Sequence, residues 1–557
     1  MSMDKIKNFW KEHKKTIIIL FSTWGVYFLI LWPRIISLKP TGLYAGHVNV
    51  WSDWALHIGL ASIFAYKSPQ FWFAYHPMYA GGQLTYPFLT DFLSGMLMRL
   101  GLSMPLAFII PSIIFTVLLL LGMYLLLYLV LRSKVKAILA ISLFFLSSGL
   151  GFVNFIKDFL NNPNLGLFLS PLKDYSALGD YQWYAGNVVV GLLVPQRPFL
   201  LGMTLAIWIL TGFLYVFLKK EKEGRLDKTI LIISGILAGV LPIIHPHTFI
   251  VVVIISGLLS LSLIKKWKFL LYYIIPAGIF STFLYFKFIW GGVENWKHFF
   301  VWFPGWTIKG GFVQWIMFWL HTWGAMIPLA VFGWFILKKK FPLLIQIFFL
   351  SFFIIFIFGN LFLIQPIPWD NSKLFFWAYF GFSALAASAL LWCWKKKFIG
   401  KILAIILTFI LISTGTLELI RLQRISHNQI QETSADDIQL GLQIRAKTDP
   451  LAIFLTDTSH NHFVMVWGNR PILMGYTAWV LNFGFLYQQR EKDIYTMYQG
   501  GLLADDLLKK YKVSYVVIGP GEIYNMHANE NYFSSKFPIA FQNQSYRIYD
   551  VRKIWSQ

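Results

Sequence analysis

The chain has 557 residues, of which 57% are hydrophobic, 18% aromatic and only 13% charged. A soluble domain carries about a quarter charged residues, so a purely soluble protein is excluded, and the length leaves room for a multi-span bundle plus a separate domain. The net charge is +23, yet residues 421–557 hold 14 Lys and Arg against 12 Asp and Glu, so the excess belongs to the membrane part, as cytoplasmic loops require, and no soluble basic face for nucleic acid is visible.

Residues 1–15 are basic and polar. The apolar run 16–32 is long for a signal-peptide core, and no small-residue cleavage site follows it, so it reads as a retained first span. Spans of about 20 apolar residues fall near 16–38, 105–130, 137–156, 199–218, 229–245, 248–264, 268–290, 315–337, 341–363, 374–394 and 400–420. The fold class is therefore a mainly α, polytopic helical bundle of about eleven transmembrane helices, spanning 1–420. Basic clusters at 5–15, 132–136, 219–228, 265–268, 338–340 and 395–401 all fall on one side of the alternating path. The positive-inside rule makes that side cytoplasmic, together with the N-terminus. The single cysteine, Cys393, excludes an intrachain disulfide framework and reads as a packed, inert thiol.

The opposite side carries the loops 39–104, 157–198, 245–247, 291–314 and 364–373. They hold Asp53, His57, His76, Asp91, Asp158, Asp174, Asp180, Gln196, Arg197, His245, His247, Glu294 and Asp370, so a site assembled from several loops on the outer face is expected. The first of these loops reads as two short amphipathic helices, near 53–66 and 87–101, around a turn-rich link at 76–83. Trp51, Trp54, Phe71, Trp72 and Phe73 suit interfacial anchors, as do Trp296, Phe299, Trp302 and Trp306 in a later loop.

The stretch Asn49-Val50-Trp51-Ser52-Asp53-Trp54-Ala55-Leu56-His57 puts a carboxylate and an imidazole on one helical face. Asp53 suits either the N-cap of a helix starting at 54 or a general base. Asp91, one turn into the second loop helix, is either a second acidic position for metal or substrate or a local cap or ion pair. In Pro195-Gln196-Arg197-Pro198 the arginine either snorkels or reads an anion. His245-Pro246-His247 sets two imidazoles in a tight outer turn. Phosphate contact, a metal and a plain capped turn all remain open, since no third zinc ligand is specified by spacing. Trp369-Asp370-Asn371-Ser372-Lys373 opens a span. Asp370 or Asn371 can cap it, and its N-terminus with Lys373 suits an anion.

After residue 420 the composition turns polar. A helix at 436–447, strands at 452–455, 513–518 and 545–551, and a helix at 504–510 predict a small α/β domain, 421–557, on the outer side. Arg470, Tyr476, Arg490, Asp493 and Tyr498 cluster within it. Arg470 either reaches the membrane face or serves the domain, and His460 and His462 read as surface-loop residues. No phosphate-binding loop, dinucleotide fingerprint, nucleophile elbow or HExxH is present.

These motifs, Ser52-Asp53-Trp54-Ala55-Leu56-His57, Tyr86-Pro87-Phe88-Leu89-Thr90-Asp91, Pro195-Gln196-Arg197, His245-Pro246-His247 and Trp369-Asp370-Asn371, resemble those of GT-C glycosyltransferases, the superfamily of protein mannosyltransferases and oligosaccharyltransferase catalytic subunits. The resemblance implies inverting transfer, at the outer face of the cell membrane, of a sugar from a polyprenyl phosphate or diphosphate to a lipid, glycan or protein acceptor. It implies Asp53 as catalytic base, with Asp91 and His57 beside it. Arg197, Gln196, His245, His247 and Lys373 would hold the donor phosphate. Asp370, Asn371, Trp54, Arg470 and Tyr476 would contact substrate, and a divalent Mg or Mn ion is a possible cofactor. The first loop lacks the Asp-x-Asp of metal-dependent oligosaccharyltransferases. The alternatives are a transferase of another lipid-linked group, a transporter or an assembly subunit.

Overall fold

The computed structural model describes residues 3–177, 186–219, 224–424 and 428–556; Asp180 lies outside them. Eight of its helices are long and apolar enough to cross a membrane, and the bent pair Phe312–Trp323 and Met326–Lys340, turned by 89°, adds a ninth if it is one crossing. The protein is a polytopic, mainly helical integral membrane protein. Two of the eleven expected spans are shorter. The helix Pro246–Ser262 has 17 residues and Lys134–Phe145 has 12. At 1.5 Å per residue the latter is about 18 Å long, against a hydrocarbon core of about 30 Å. Residues 147–151, Ser-Ser-Gly-Leu-Gly, end it early. A Cβ on Gly149 would stand 1.7 Å from the His321 carbonyl oxygen, and one on Gly151 would stand 1.8 Å from that of Tyr175. Two backbones press into this break, which an uninterrupted helix would not admit.

The bundle is centred on Ser372–Trp394, within a span 94% buried over its apolar window. Helix Met326–Leu337 approaches it where a Cβ on Gly333 would lie 2.2 Å from the Leu385 carbonyl, the small-residue packing typical of membrane helices. Four of the basic clusters meet at one end. Lys134 Nζ donates to the Glu12 carbonyl at 2.8 Å, and Lys136 is within electrostatic reach of Lys340 and Lys395.

The other end is built from the first loop and the tail together. Strands Ile36–Lys39 and Gly42–Ala45 form an antiparallel hairpin, and Ile430–Ser434 of the tail adds to it. Gly42 is required there, with φ 138° and a notional Cβ 2.2 Å from the Thr433 carbonyl. Helix Val48–Tyr66 follows. It starts earlier than the sequence suggested, because the imidazole of His47 accepts the Asn49 amide as N-cap. Asp53 therefore lies in the second turn and caps nothing. The helix is not an interfacial amphipath either, for every residue from Trp54 to Ala65 is buried. Met465 packs against Gly59, and Asn469 Nδ2 donates to the Ser62 carbonyl at 2.9 Å, so the tail covers this helix. Trp54 and Trp306 are likewise core residues, not interfacial anchors, whereas Trp296 and Trp302 are exposed.

The tail contains a four-stranded sheet, one strand more than the three expected. Ile453–Leu455 pairs in parallel with Val513–Ile518, which pairs antiparallel with Arg547–Asp550. The edge strand Ile539–Gln542 escaped the sequence reading, being four residues long and mostly exposed. Helices Ala435–Lys447 and Leu502–Lys510 flank the sheet.

Candidate functional site

A cavity of about 650 Å³ opens where the first loop, one end of the bundle and the tail meet. Asp53 and His57 face it from one side of helix Val48–Tyr66. Gln196, His245, His247, Asp370 and Lys373 complete its polar end. An apolar limb runs along Phe249 and Ile250 of helix Pro246–Ser262 and along Tyr285 and Phe286 of helix Trp267–Phe288, with Ile289 just past its end. Trp479, Asn482 and Phe483 of the tail close the cavity on its side. Asn482 was not anticipated; it donates from Nδ2 to Asp370 Oδ2 at 2.7 Å. Nothing local in its helix, Thr477–Asn482, signals this contact across 112 residues.

Burial pushes the Asp53 carboxyl up to about 6, against the pull of His57 and Lys373 and a hydrogen bond from Gln196. A carboxylate poised near neutral pH is the usual property of a general base.

His245 N-caps helix Pro246–Ser262, accepting the Thr248 amide on Nδ1 at 3.2 Å. The proline at the first helical position fixes this turn, since its missing N–H would be unsatisfied anyway. With Nδ1 accepting, the neutral ring carries its proton on Nε2. That Nε2 and the Nε2 of His247 are buried at the cavity with no hydrogen-bond partner among the described residues. The His245 N–H suits an acceptor supplied by a ligand, and the His247 nitrogen suits a polar group of the same ligand. Lys373 Nζ lies 2.6 Å from Asp370 Oδ1, and Asp370 in turn holds Asn482.

Several expected site residues stand elsewhere. Arg197 is completely buried behind the cavity, where Nη1 lies 3.7 Å from Asp91 Oδ1 and Nη2 donates to Ser94 Oγ at 2.5 Å. Asp91 is equally buried and contacts His57 Nδ1 at 2.8 Å. Neither lines the cavity. Trp54 donates to the Pro195 carbonyl at 2.9 Å, and its ring lies beside Arg197. Asn371 spends its amide on the Gly359 and Phe362 carbonyls. Arg470 is consumed by the carbonyls of Arg445, Thr448, Gly468 and Asn469. Tyr476 is exposed, its ring 5.9 Å from that of Trp479. His460 and His462 are not free loop residues. His460 packs edge-on against Trp51 at 4.4 Å, and His462 is buried.

A divalent metal does not suit the Asp53 cavity as built. The Lys373 ammonium already occupies Asp370, and the His245 tautomer presents N–H rather than a lone pair. The one cluster of three His, Asp or Glu groups with metal-like spacing among the described residues lies in the tail, at Asp457, His462 and Glu522.

No family model matches the chain, and a search of curated proteins finds no match. Solved structures do match. Archaeoglobus fulgidus oligosaccharyltransferase tethered with an acceptor peptide containing the NVT sequon aligns with a TM-score of 0.55 at 14% identity, over 91% of this chain and 70% of that chain. The same protein in complex with zinc and sulfate aligns with a TM-score of 0.52 at 13% identity, over 90% and 69%. The chain thereby shares its overall fold with that oligosaccharyltransferase.

Proposed function

We propose that the protein is a membrane glycosyltransferase that moves a sugar from a polyprenyl-phosphate or diphosphate donor to an acceptor at the outer face, with inversion. The observation that carries this reading is the pair of buried Nε2 atoms of His245 and His247, without partners among the described residues, in the cavity that Asp53 faces. The apolar limb between two membrane helices suits a lipid chain, and the polar end suits its phosphate and sugar. Likeness in fold to an oligosaccharyltransferase adds support at the level of architecture.

The chemistry follows from the placement. An acceptor O–H or N–H attacks the anomeric carbon from the face opposite the phosphate. Asp53 takes the acceptor proton as the new bond forms. The bond from the anomeric carbon to the phosphate oxygen breaks, and its electron pair leaves on that oxygen. His245 and His247 donate their Nε2 protons as hydrogen bonds to the developing charge, with Lys373 as a nearby cation. A single displacement inverts the anomeric centre. His57, tied to Asp91, keeps its other nitrogen for the cavity and orients the acceptor beside Asp53.

The test is sugar transfer in membranes supplied with polyprenyl-phosphate and polyprenyl-diphosphate sugars. Asp53→Asn is expected to lower transfer by about 10²–10⁴-fold. Undiminished transfer would remove Asp53 from the role of base. Absence of transfer by the unaltered protein with any such donor would favour transfer of another lipid-linked group.

A further inference from the structure

The tail contains a second polar cavity, of about 240 Å³, which shares no lining residue with the first. Glu432, Asp437, Asp457, His462 and Glu522 line it, and no Lys or Arg does among the described residues. Asp457, His462 and Glu522 bring one ligand atom each within 4.8 Å of one another. Glu522 is fully buried and its Oε2 has no partner among the described residues. Glu432, 6% exposed, leaves both carboxylate oxygens without one. Three carboxylate oxygens without a partner line one void, and no basic side chain faces them among the described residues, so their bonding capacity is left to a ligand.

The hydrogen bonds indicate which groups are available. Glu522 Oε1 accepts the Asp457 amide at 3.1 Å and contacts His462 Nε2 at 3.2 Å. His462 Nδ1 accepts the Val464 amide, so its proton sits on Nε2 and is directed at Glu522. His462 therefore positions Glu522 and leaves the ligation to oxygen. Asp457 Oδ1 is held by the Ser459 amide and hydroxyl, while Oδ2 lies where a Cβ on residue 521 would come within 2.2 Å, a space that Gly521 leaves open. An all-oxygen donor set favours a hard cation over zinc.

We infer that this cavity binds one divalent, oxygen-preferring cation at Asp457 and Glu522, with Glu432 on the wall of the same cavity. The cavity joins two parts of the assembly. Glu432 lies on Ile430–Ser434, the strand that joins the first-loop hairpin, whereas Asp457 and Glu522 belong to the α/β domain. The segment after Asp457 also touches the helix of Asp53, through His460 Nε2 and the Trp51 carbonyl at 3.2 Å. The site thus braces the segment that carries the candidate base, without depending on the proposed transfer reaction.

The full chain, purified in detergent and stripped with a chelator, is titrated with calcium, magnesium and manganese chloride by calorimetry and by thermal unfolding. One ion per chain is expected for at least one of the three, with the unfolding midpoint raised by several degrees at about 1 mM ion. Glu432→Gln and Asp457→Asn each weaken binding by about tenfold or more, while Asp53→Asn leaves it intact. Should those variants fail to fold, terbium emission in the unaltered chain decides. It is expected to be excited through Tyr546 in the cavity wall, reduced in Tyr546→Phe and displaced by calcium. No heat and no midpoint shift with any of the three ions overturns the inference. So does binding that survives Glu432→Gln and Asp457→Asn, or binding that vanishes in Asp53→Asn, or terbium emission indifferent to Tyr546→Phe.

Discussion

The imidazole of His57 meets Asp91 through Nδ1, 2.8 Å from Oδ2, so the histidine facing the cavity is held from behind by a carboxylate that does not reach it. Asp91 is in turn the counter-charge of Arg197, and both are fully buried. Asp91, which read from sequence as a second acidic position for metal or substrate or else a salt bridge, and Arg197, which read as an anion contact, thus form a support. Their position beneath His57 fixes the ring and leaves Nε2 for the cavity.

Removing one member of that support strands the other. Arg197→Met is expected to lower stability by about 3–5 kcal/mol, because Asp91 is left as a buried, uncompensated charge. Replacing both, Arg197→Met with Asp91→Leu, should recover most of that loss while freeing His57. Unfolding of the purified protein in detergent measures both. A double variant as unstable as the single one would mean that Asp91 and Arg197 are not coupled.

The two histidines of the outer turn can be separated from their structural duty. His245→Asn retains a favoured N-cap for helix Pro246–Ser262 and removes the Nε2 donor. Combined with His247→Gln, it is expected to lower kcat by about 10²–10³, the usual consequence of losing donors to a developing oxyanion, with little change in unfolding temperature. A rise in acceptor KM alone would place these rings on the acceptor instead.

Much of the site was legible because the motifs are local. Asp53 and His57 share a face by helical spacing, and His245-Pro246-His247 is a turn by composition. Both ended up lining one cavity. What failed was long-range. Nothing near Arg197 indicates that Asp91 and Ser94 lie within reach of its guanidinium, and nothing near Glu432 indicates a strand paired with Gly42–Ala45 almost 400 residues earlier. The start of the Asp53 helix was misplaced because histidine is an unusual cap, so His47 carried no start signal. The span expected at 137–156 was broken by glycines whose purpose, admitting the backbones of His321 and Tyr175, exists only in three dimensions.

The tail reaches the polar end of the cavity through the bond from Asn482 to Asp370. Asn482→Leu is expected to reduce kcat/KM by about tenfold, since Asp370 then loses a donor worth about 1.5 kcal/mol and Lys373 is less firmly placed. Global stability should move by less than about 1 kcal/mol, because this contact lies outside the core of the tail. Steady-state transfer kinetics and thermal unfolding on one preparation distinguish the two. An unchanged kcat/KM would make Trp479 and Phe483 the effective closure.

The carboxyl of Asp53 gives two opposite pH signatures. Burial raises it from its ordinary value of 3.8 to about 6. The ionised form is the base, so kcat/KM should fall about tenfold per unit as the pH drops below about 6. Stability runs the other way. A carboxyl whose folded value exceeds its unfolded value favours folding when protonated, and that contribution is lost as pH rises between about 4 and 6. Asp53→Asn, which resembles the protonated form, is therefore expected to be more stable than the unaltered protein at pH 7 and indistinguishable from it near pH 4, while its residual transfer loses the acidic limb. Transfer rates and unfolding midpoints between pH 4 and 8 test both halves. An acidic limb that persists in Asp53→Asn would falsify the assignment of that limb to Asp53, and a variant less stable at pH 7 would show that the ionised carboxylate is held by the fold for structure rather than kept poised for chemistry.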